Sequence, residues 1–454
     1  KKGINQKRCI SLKIDYTRYI MKVGFCSLGC KVNAYETEYA INEFKKRGYE
    51  IVSFDDYADV YVVNTCSVTN ASDQKSRKML RSACNKNKNA VVVAMGCYAQ
   101  VNSKVIEDID GVSIIIGNKD KNKIVDLVEE YIKNNKKIEN IYDLFHTSFE
   151  DMYLDKFENH TRAFVKIQDG CNNFCSYCII PYTRGNVRSK KKENVISEIK
   201  ALVKNGYKEV VLTGIHTGHY GQDLKEYDFS DLLLELEQIG GLERIRISSI
   251  EITELTDKFM NVLKTSKKIV DHIHIPLQSG CDKILKAMNR KYDMQYFINK
   301  INQIRSIRKD IAITSDVIVG FPGETDEDFN ITKENIKKIK FTELHVFPYS
   351  KREGTPAAIM KNQIDGNIKK QRVKELIEVS EKLKNEYYKK FIGKSLEVLV
   401  ETYSDGYLIG HLSNYGKVKF KGDESLLHNL VMVKLNDYIN DEFMGELIKE
   451  EVQV

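Results

Sequence analysis

From Met21 onward, short apolar runs rich in β-branched residues alternate with segments whose apolar positions recur at helical spacing. The runs are KVGF, YEIVSF, VYVVNT, VVVAMG and VSIII, and helical patterns cover residues 32–46, 72–85 and 121–133. Strands that are apolar without alternation need cover on both faces, so this first part is predicted to be an open parallel α/β sheet between helices. A polar connector over residues 135–161 precedes a second series: AFVKIQ, EVVLTGI, RIRISSI, HIHIPLQ, ITSDVIVG and ELHVFPYS, with helical patterns between successive members. Six such β/α units predict a barrel or partial (β/α)6 barrel with its chemistry at the carboxyl ends of the strands. A charged helix over residues 366–391 stops at Gly393, and SLEVLVE, GYLIGHL, GKVKF and VMVKLN then read as strands of a small antiparallel β-barrel. The expected domains are residues 21–135, 160–391 and 393–454.

Composition narrows the setting. The chain of 454 residues has no apolar run long enough to cross a bilayer, and its first twenty residues lack the apolar centre of a signal peptide. A cytoplasmic protein that does not meet the membrane is expected, with residues 1–20 given no role in the fold. Ten cysteines in such a compartment point to metal or catalysis before disulfides. The formal charge of +7 is uneven: residues 394–454 carry six basic and eleven acidic side chains, net −5, which leaves +12 for the rest. Basic runs are mostly solvated faces. KSRKMLR and RGNVRSKKK, however, lie beside cysteines, where anionic ligands would meet them.

The cysteines concentrate the chemistry. QDGCNNFCSYCIIPYTRGNVRS places Cys171, Cys175 and Cys178 in a C-x3-C-x2-C loop directly after the first strand of the second series. Structural zinc wants four closed ligands, and no matching pair lies nearby. A cubane 4Fe-4S cluster normally takes four thiolates, so three leave one iron free to bind substrate or cofactor. Three buried small hydrophobes are a poor alternative in a loop this polar. Cys30, Cys66 and Cys97 each follow a predicted strand of the first sheet, whose carboxyl ends share one edge. Free cysteines are commonly buried near strand ends. Beside a three-thiol loop, a second three-thiolate cluster is expected, and an iron count discriminates the two. Cys26 belongs inside its strand, so Cys30 is chosen. Cys9, Cys26, Cys84 and Cys281 are expected to be bystanders.

The triplet resembles the radical S-adenosylmethionine (SAM) superfamily, and Tyr177 matches its usual aromatic before the third cysteine. Across nearly the whole chain from Met21, LGCKVN, NTCSVT, GCYAQ, GCNNFCSYCIIPYTRG, LTGIHTG, SSIE, HIPLQSG, GFPGET and FPYSKREGT together resemble the methylthiotransferase subgroup. Within it, LGCKVNAYE and QDGCNNFC are similar to the branch acting on threonylcarbamoyladenosine. The isopentenyladenosine branch usually has a GCQMN-like motif, and the branch acting on a ribosomal-protein aspartate LGCPKN. The resemblance implies an N-terminal domain holding an auxiliary 4Fe-4S cluster on Cys30, Cys66 and Cys97, a radical SAM barrel holding another on Cys171, Cys175 and Cys178, and a C-terminal TRAM domain. It implies that SAM is used twice, once to methylate sulfur and once to yield a radical that takes hydrogen from C2 of an adenine beside a tRNA anticodon.

On that resemblance the cofactor wall falls to Tyr177, Gly214, Gln278, Asp316, Gly320, Phe321 and Gly323, although plain turns would equally use the glycines. His216 and His219 read as loop histidines. Arg352 follows a barrel strand, where it meets cofactor or RNA or makes a surface hydrogen bond. Arg184 and Arg188 are expected to bind RNA or cofactor. Lys417 and Lys419, with Lys421 and Tyr415, are expected to bind RNA in a TRAM domain that is otherwise acidic. Expected partners are the tRNA anticodon stem-loop, an electron donor such as flavodoxin or ferredoxin, and a sulfur donor. Methylthiolation of a ribosomal protein and a non-catalytic iron-sulfur RNA-binding module are the other readings.

Overall fold

The computed structural model describes residues 20–157 and 160–448; Cys9 and the rest of residues 1–19 lie outside the described residues, as do the last six. Six parallel strands, β1 (Lys22–Ser27), β2 (Glu50–Val52), β3 (Val60–Thr65), β4 (Val91–Gly96), β5 (Val112–Ile116) and β6 (Ile138–Asn140), form one sheet in the order β2-β1-β3-β4-β5-β6. Val60 and Val62 pack with Phe44 of α1 (Lys31–Lys46) and Val128 of the helix Ile124–Asn134. Tyr61 and Val63 face the other way, onto Leu80 and Ala83 of α2 (Asn70–Lys86). Both faces are covered, which explains the unbroken apolar runs. The chain leaves β1 for the edge strand β2 and then returns to lay β3 on the other side of β1. That reversal is a topological switch point, and the crevice above it lies at the carboxyl ends of β1 and β3.

Residues 135–161 do more than connect. β6 extends the first sheet past residue 135, and Leu144, Met152, Leu154 and Phe157 are buried. Tyr35 donates its hydroxyl to the Met152 carbonyl (2.8 Å), and the Leu154 N–H reaches the Glu198 carboxylate (3.0 Å). The segment is a strap whose backbone is satisfied by side chains of other elements. It therefore shows no period of its own.

After the strap come β7 (Arg162–Lys166), the short antiparallel pair β8 (Gln168–Asp169) and β9 (Arg188–Ser189), and then β10 (Glu209–Thr213), β11 (Arg244–Ile247), β12 (His272–His274), β13 (Ala312–Val319) and β14 (Glu343–Pro348). The longer strands pair in parallel as β11-β10-β7 and β12-β13-β14. The two halves join through a parallel bridge between Ile245 and Ile269 and the Ile250 N–H on the His274 carbonyl (3.0 Å). The result is the expected open barrel of six parallel strands.

The helix Gly366–Tyr388 leads to β15 (Ser395–Ser404), β16 (Tyr407–Leu412), β17 (Lys417–Lys421), β18 (Leu430–Ile439) and β19 (Glu442–Leu447), a closed barrel in the order β15-β16-β17-β19-β18. Tyr388 and Phe391 pack into its core with Val398, Val433 and Phe443. The sequence pattern predicts four of these strands. The fifth, β19, closes the barrel through a parallel pairing with β17, so the barrel is not wholly antiparallel.

Candidate active site between sheet edge and barrel mouth

Three strand ends deliver Cys30, Cys66 and Cys97 to the switch-point edge. Cys30 is the N-cap of α1, and Cys97 opens the short helix α3 (Cys97–Val101). Side chains of the flanking motifs stitch the loops together. Asn33 donates to the Leu28 carbonyl (2.7 Å) and to the Thr65 carbonyl (3.1 Å), tying the Cys30 loop to the strand that ends at Cys66. Asn64 donates back to the Asn33 carbonyl (3.0 Å). Thr65 donates its hydroxyl to the Met95 carbonyl (2.7 Å) and accepts from the Ala99 N–H (3.1 Å), which fixes α3. Burial pushes the Cys66 thiol up, and the charges of Cys97 and Cys30 add to the rise. Cys26 lies within β1 and packs on the α2 face of the sheet.

Gly29 has φ +101°, and a Cβ there would lie 2.8 Å from the Cys66 sulfur. Gly29→Ala is therefore expected to cost about 1–3 kcal/mol in urea unfolding, because it adds a clash to left-handed strain. Gly48→Ala has a similar φ but open space around it, and is expected to cost about 1 kcal/mol. Equal costs would remove the argument that Gly29 makes room for the thiol.

Cys171, Cys175 and Cys178 follow β8. The loop folds on itself through the Cys178 N–H on the Cys175 carbonyl (2.9 Å) and the Cys171 N–H on the Gly185 carbonyl (3.0 Å). Burial, with the Cys175 charge, pushes the Cys178 thiol up to about 12. Such thiols ionise readily only when a metal takes the place of the proton. Arg290 donates to the Cys175 sulfur (3.3 Å) and is held by Glu251 and the Tyr292 hydroxyl (3.2 Å). His216 stands with Nδ1 3.7 Å from the Cys171 sulfur and Nε2 2.7 Å from Glu254.

Between the two thiol sets lies a buried charge network. Glu36, fully buried, accepts from Arg184 (2.9 Å), Lys166 (2.7 Å) and Lys121. Asp169 accepts from Lys166 (2.6 Å) and Arg184 (3.1 Å), with Arg188 at 3.8 Å. Arg184 also points Nε at the Cys97 sulfur (3.3 Å) and Nη2 at Asn33 (2.8 Å), while Asn118 donates to Cys97 (3.5 Å). Four cations against two carboxylates leave positive charge beside buried sulfur, a balance that anionic thiolates would complete. N–H donors aimed at sulfur in both sets suit the same chemistry, since hydrogen bonds to cluster sulfurs are characteristic of iron-sulfur ligation. The residues fit 4Fe-4S clusters at both places.

Two cavities adjoin these thiols. The larger, about 910 Å³, is lined by Cys30 and Lys31 from the sheet edge, by Gly214, His274 and Asp316 from the barrel, and by Tyr415 and Lys417 from the C-terminal barrel. The smaller, about 250 Å³, is lined by Cys178, Tyr177, Gln278, Ile318 and Tyr349, with Val68 and Thr69 from the loop after Cys66. Asp316 and Phe347 line both. Asp316 bridges His274 (3.4 Å) and His345 (3.3 Å). Burial would raise its carboxyl, but these two imidazoles overcome that and hold it well below the usual carboxylate range. Tyr415 sits under the Arg246 and Arg162 guanidiniums, 4.1 Å and 5.2 Å from its ring centroid.

A model of the Radical SAM superfamily matches residues 165–336, and that of an uncharacterized protein family, UPF0004, matches residues 22–117. The threonylcarbamoyladenosine tRNA methylthiotransferase MtaB of Bacillus subtilis is 47% identical over 420 residues, covering 91% of this chain and 93% of its own. The chain belongs to the radical SAM methylthiotransferase family. Within that family, the MtaB of Aquifex aeolicus is 42% identical over 84% of this chain and 93% of its own. The tRNA-2-methylthio-N(6)-dimethylallyladenosine synthase of Thermoanaerobacter sp. is 35% identical over 93% of this chain and 91% of its own. Among solved structures, the radical SAM methyltransferase TsrM of Kitasatospora setae superposes with a TM-score of 0.54 over 75% of this chain and 77% of its own, at 13% identity, a likeness of fold.

Several expectations for this methylthiotransferase change with the structure. Arg184 and Arg188 are buried, so neither reaches an RNA phosphate; both serve the network beside the thiols. Gly320, Phe321 and Gly323, expected in the cofactor wall, stand one layer back: the Lys369 stem fills the space beside Gly320, Phe321 is buried behind Tyr177 (ring centroids 6.5 Å apart), and the Gly323 N–H is taken by the Asn362 carbonyl (2.9 Å). Arg352 joins the first sheet to the barrel, reaching Asp73 (2.8 Å) and Ser67 (2.8 Å). Lys417 lines the large cavity and pairs with Glu442 (2.9 Å), while Lys419 lies over the Tyr407 ring (4.8 Å). Glu36, Lys166, Asn118 and Arg290 were not singled out from sequence. Glu36 lies within LGCKVNAYE and could have been found there; a lone Arg290 in MNRKY carries no signal until the fold brings it to Cys175.

Proposed function

We propose that this chain is a tRNA methylthiotransferase that converts N6-threonylcarbamoyladenosine beside the anticodon to its 2-methylthio derivative. The relatives named for that activity support the substrate, and one observation supports the chemistry: Cys30 and Cys178, from different thiol sets, open onto cavities that share Asp316 and Phe347. When bound, one 4Fe-4S cluster on Cys171, Cys175 and Cys178 supplies reductive cleavage of SAM, and a second on Cys30, Cys66 and Cys97 supplies the place where methylated sulfur is transferred.

The chain's own residues supply position. Tyr177, Gln278, Ile318 and Tyr349 wall the small cavity on the Cys178 side, and Val68 and Thr69 close it with residues tied to Cys66. A reactive carbon is thereby confined near both thiol sets, and proximity replaces diffusion. Tyr415 and Lys417 bring the C-terminal barrel into the wall of the large cavity, and the exposed side chains of Lys75, Lys78 and Arg81 on α2 offer cations to an RNA backbone close to Cys66. A one-electron donor of the flavodoxin or ferredoxin type and a sulfur donor complete the reaction in the cytoplasm.

Anaerobic reconstitution with iron, sulfide, SAM and a low-potential reductant, followed by nucleoside mass spectrometry of added tRNA, tests the reading. Conversion of threonylcarbamoyladenosine to its methylthio form is expected. Methylthiolation of isopentenyladenosine in its place would move the chain to the other tRNA branch, and modification of ribosomal protein with tRNA untouched would overturn the RNA substrate.

A further inference from the structure

The large cavity is lined by seven basic side chains, and six of them are accounted for within the protein. Lys384 pairs with Glu343 (3.1 Å) and Asp441 (3.4 Å), and Lys417 pairs with Glu442 (2.9 Å). His411 meets Glu401 (2.9 Å), and His274 and His345 share Asp316. His272 is buried and bonded to the Thr314 hydroxyl (3.0 Å). Lys31 differs. Among the described residues no carboxylate forms an ion pair with it; it lines the cavity with Cys30 and Tyr415, and the Arg246 and Arg162 guanidiniums act on its charge. Arg246 pairs with Glu209 (2.6 Å) and Arg162 with Glu401 (3.2 Å), and the cavity's own carboxylates, Asp316, Glu343 and Asp441, are engaged by His274, His345 and Lys384.

An ammonium at a cavity wall, with two guanidiniums acting on it and no carboxylate of the described residues paired to it, is a place where a ligand's negative charge is held. We propose that Lys31 binds the carboxylate of the threonylcarbamoyl group and so makes the site select an acidic N6 substituent. The inference rests on the function proposed above. The position suits it: Lys31 directly follows Cys30 and lines the same cavity, so an adenine whose C2 edge is presented to that thiol set brings its N6 substituent into the cavity that Lys31 lines. An isopentenyl substituent offers this ammonium nothing to pair with. The same charge would also attract an RNA phosphate, and the two sources are separable because only one of them belongs to the modified base.

The test uses the full reconstituted chain and two anticodon hairpins, one carrying threonylcarbamoyladenosine and one in which its carboxylate is replaced by a hydroxymethyl group. Wild type is expected to bind the carboxylate hairpin about tenfold more tightly or better. Lys31→Met is expected to erase that preference by raising Kd and KM for the carboxylate hairpin alone, with kcat at saturation little changed, and Lys31→Arg to keep most of it. Iron content and visible absorbance of Lys31→Met should match wild type. A Lys31→Met protein that keeps the preference overturns the inference. So does one weakened equally on both hairpins, which would make Lys31 a phosphate contact, or one that loses iron while still discriminating, which would make it a support for the thiol site. If wild type methylthiolates the natural hairpin yet shows no preference, the Lys31 inference fails and the proposed function stands; if it leaves that hairpin unmodified, the parent reading has failed as well.

Discussion

Replacing Cys30, Cys66 and Cys97 together by alanine is expected to remove about half of the iron taken up on anaerobic reconstitution and to abolish methylthiolation, while 5′-deoxyadenosine formation from SAM continues. The separation follows from geometry. The Cys171, Cys175 and Cys178 loop is held by its own backbone bonds and by Arg290 and His216, none of which belongs to the first sheet. The loops that carry the sheet-edge thiols are tied together by Asn33, Asn64 and Thr65 of the first sheet, to which the barrel adds the Arg184 donor at Cys97 (3.3 Å). Each set therefore survives the loss of the other, and only the transfer that needs both is lost. The reciprocal variant, alanine at Cys171, Cys175 and Cys178, is expected to stop SAM cleavage and methylthiolation alike with the remaining half of the iron still bound. Cys26→Ala is the control, because that thiol packs on the α2 face of the sheet and should leave iron and product unchanged. Unaltered iron in the sheet-edge triple variant would show that those cysteines hold no cluster.

Much of this arrangement is legible in the sequence, and the part that is not has a common cause. Strand ends could be read because a fully covered parallel sheet writes its strands as unbroken apolar runs, and Cys30, Cys66 and Cys97 follow three of them. The contiguous loop of Cys171, Cys175 and Cys178 is visible from spacing alone. What escaped are groups whose meaning depends on contacts across the chain. Arg184 stands in a basic block expected to meet an anionic ligand, yet its partners are Glu36, 148 residues away, and Cys97, 87 residues away. The strap over residues 135–161 hides its anchors among polar residues because its backbone is satisfied by Tyr35 and Glu198 in place of a ladder. β19 carries two glutamates in six residues and closes the C-terminal barrel at an otherwise open edge. Local pattern finds the elements, whereas pairings between elements set the charge of the site.

Glu36→Gln is expected to destabilise the protein by about 3–5 kcal/mol, more than any other single change in the charge network. Glu36 is fully buried and is shared by Arg184, Lys166 and Lys121; removing its charge strands cations that burial makes costly. Arg184→Met should cost less, since Glu36 keeps both lysines and Asp169 keeps Lys166 with Arg188 nearby. Urea unfolding followed by circular dichroism measures the order, and limited proteolysis within residues 135–161 reports whether the first sheet separates from the barrel. The same network sets an acid limit. Burial alone would raise the Glu36 carboxyl, but Arg184, Lys121 and Lys166 overcome both that and the repulsion from Asp169, holding it below the ordinary carboxylate range. A carboxyl depressed on folding contributes stability that is full above its unfolded value, about 4.3, and is lost as pH falls below that toward the depressed one. Wild type should therefore lose stability steeply below about pH 4. Glu36→Gln, already lacking the charge, should show a shallower acid limb with the two curves converging, and parallel curves would mean that Glu36 is not the group that the buried cations hold ionised.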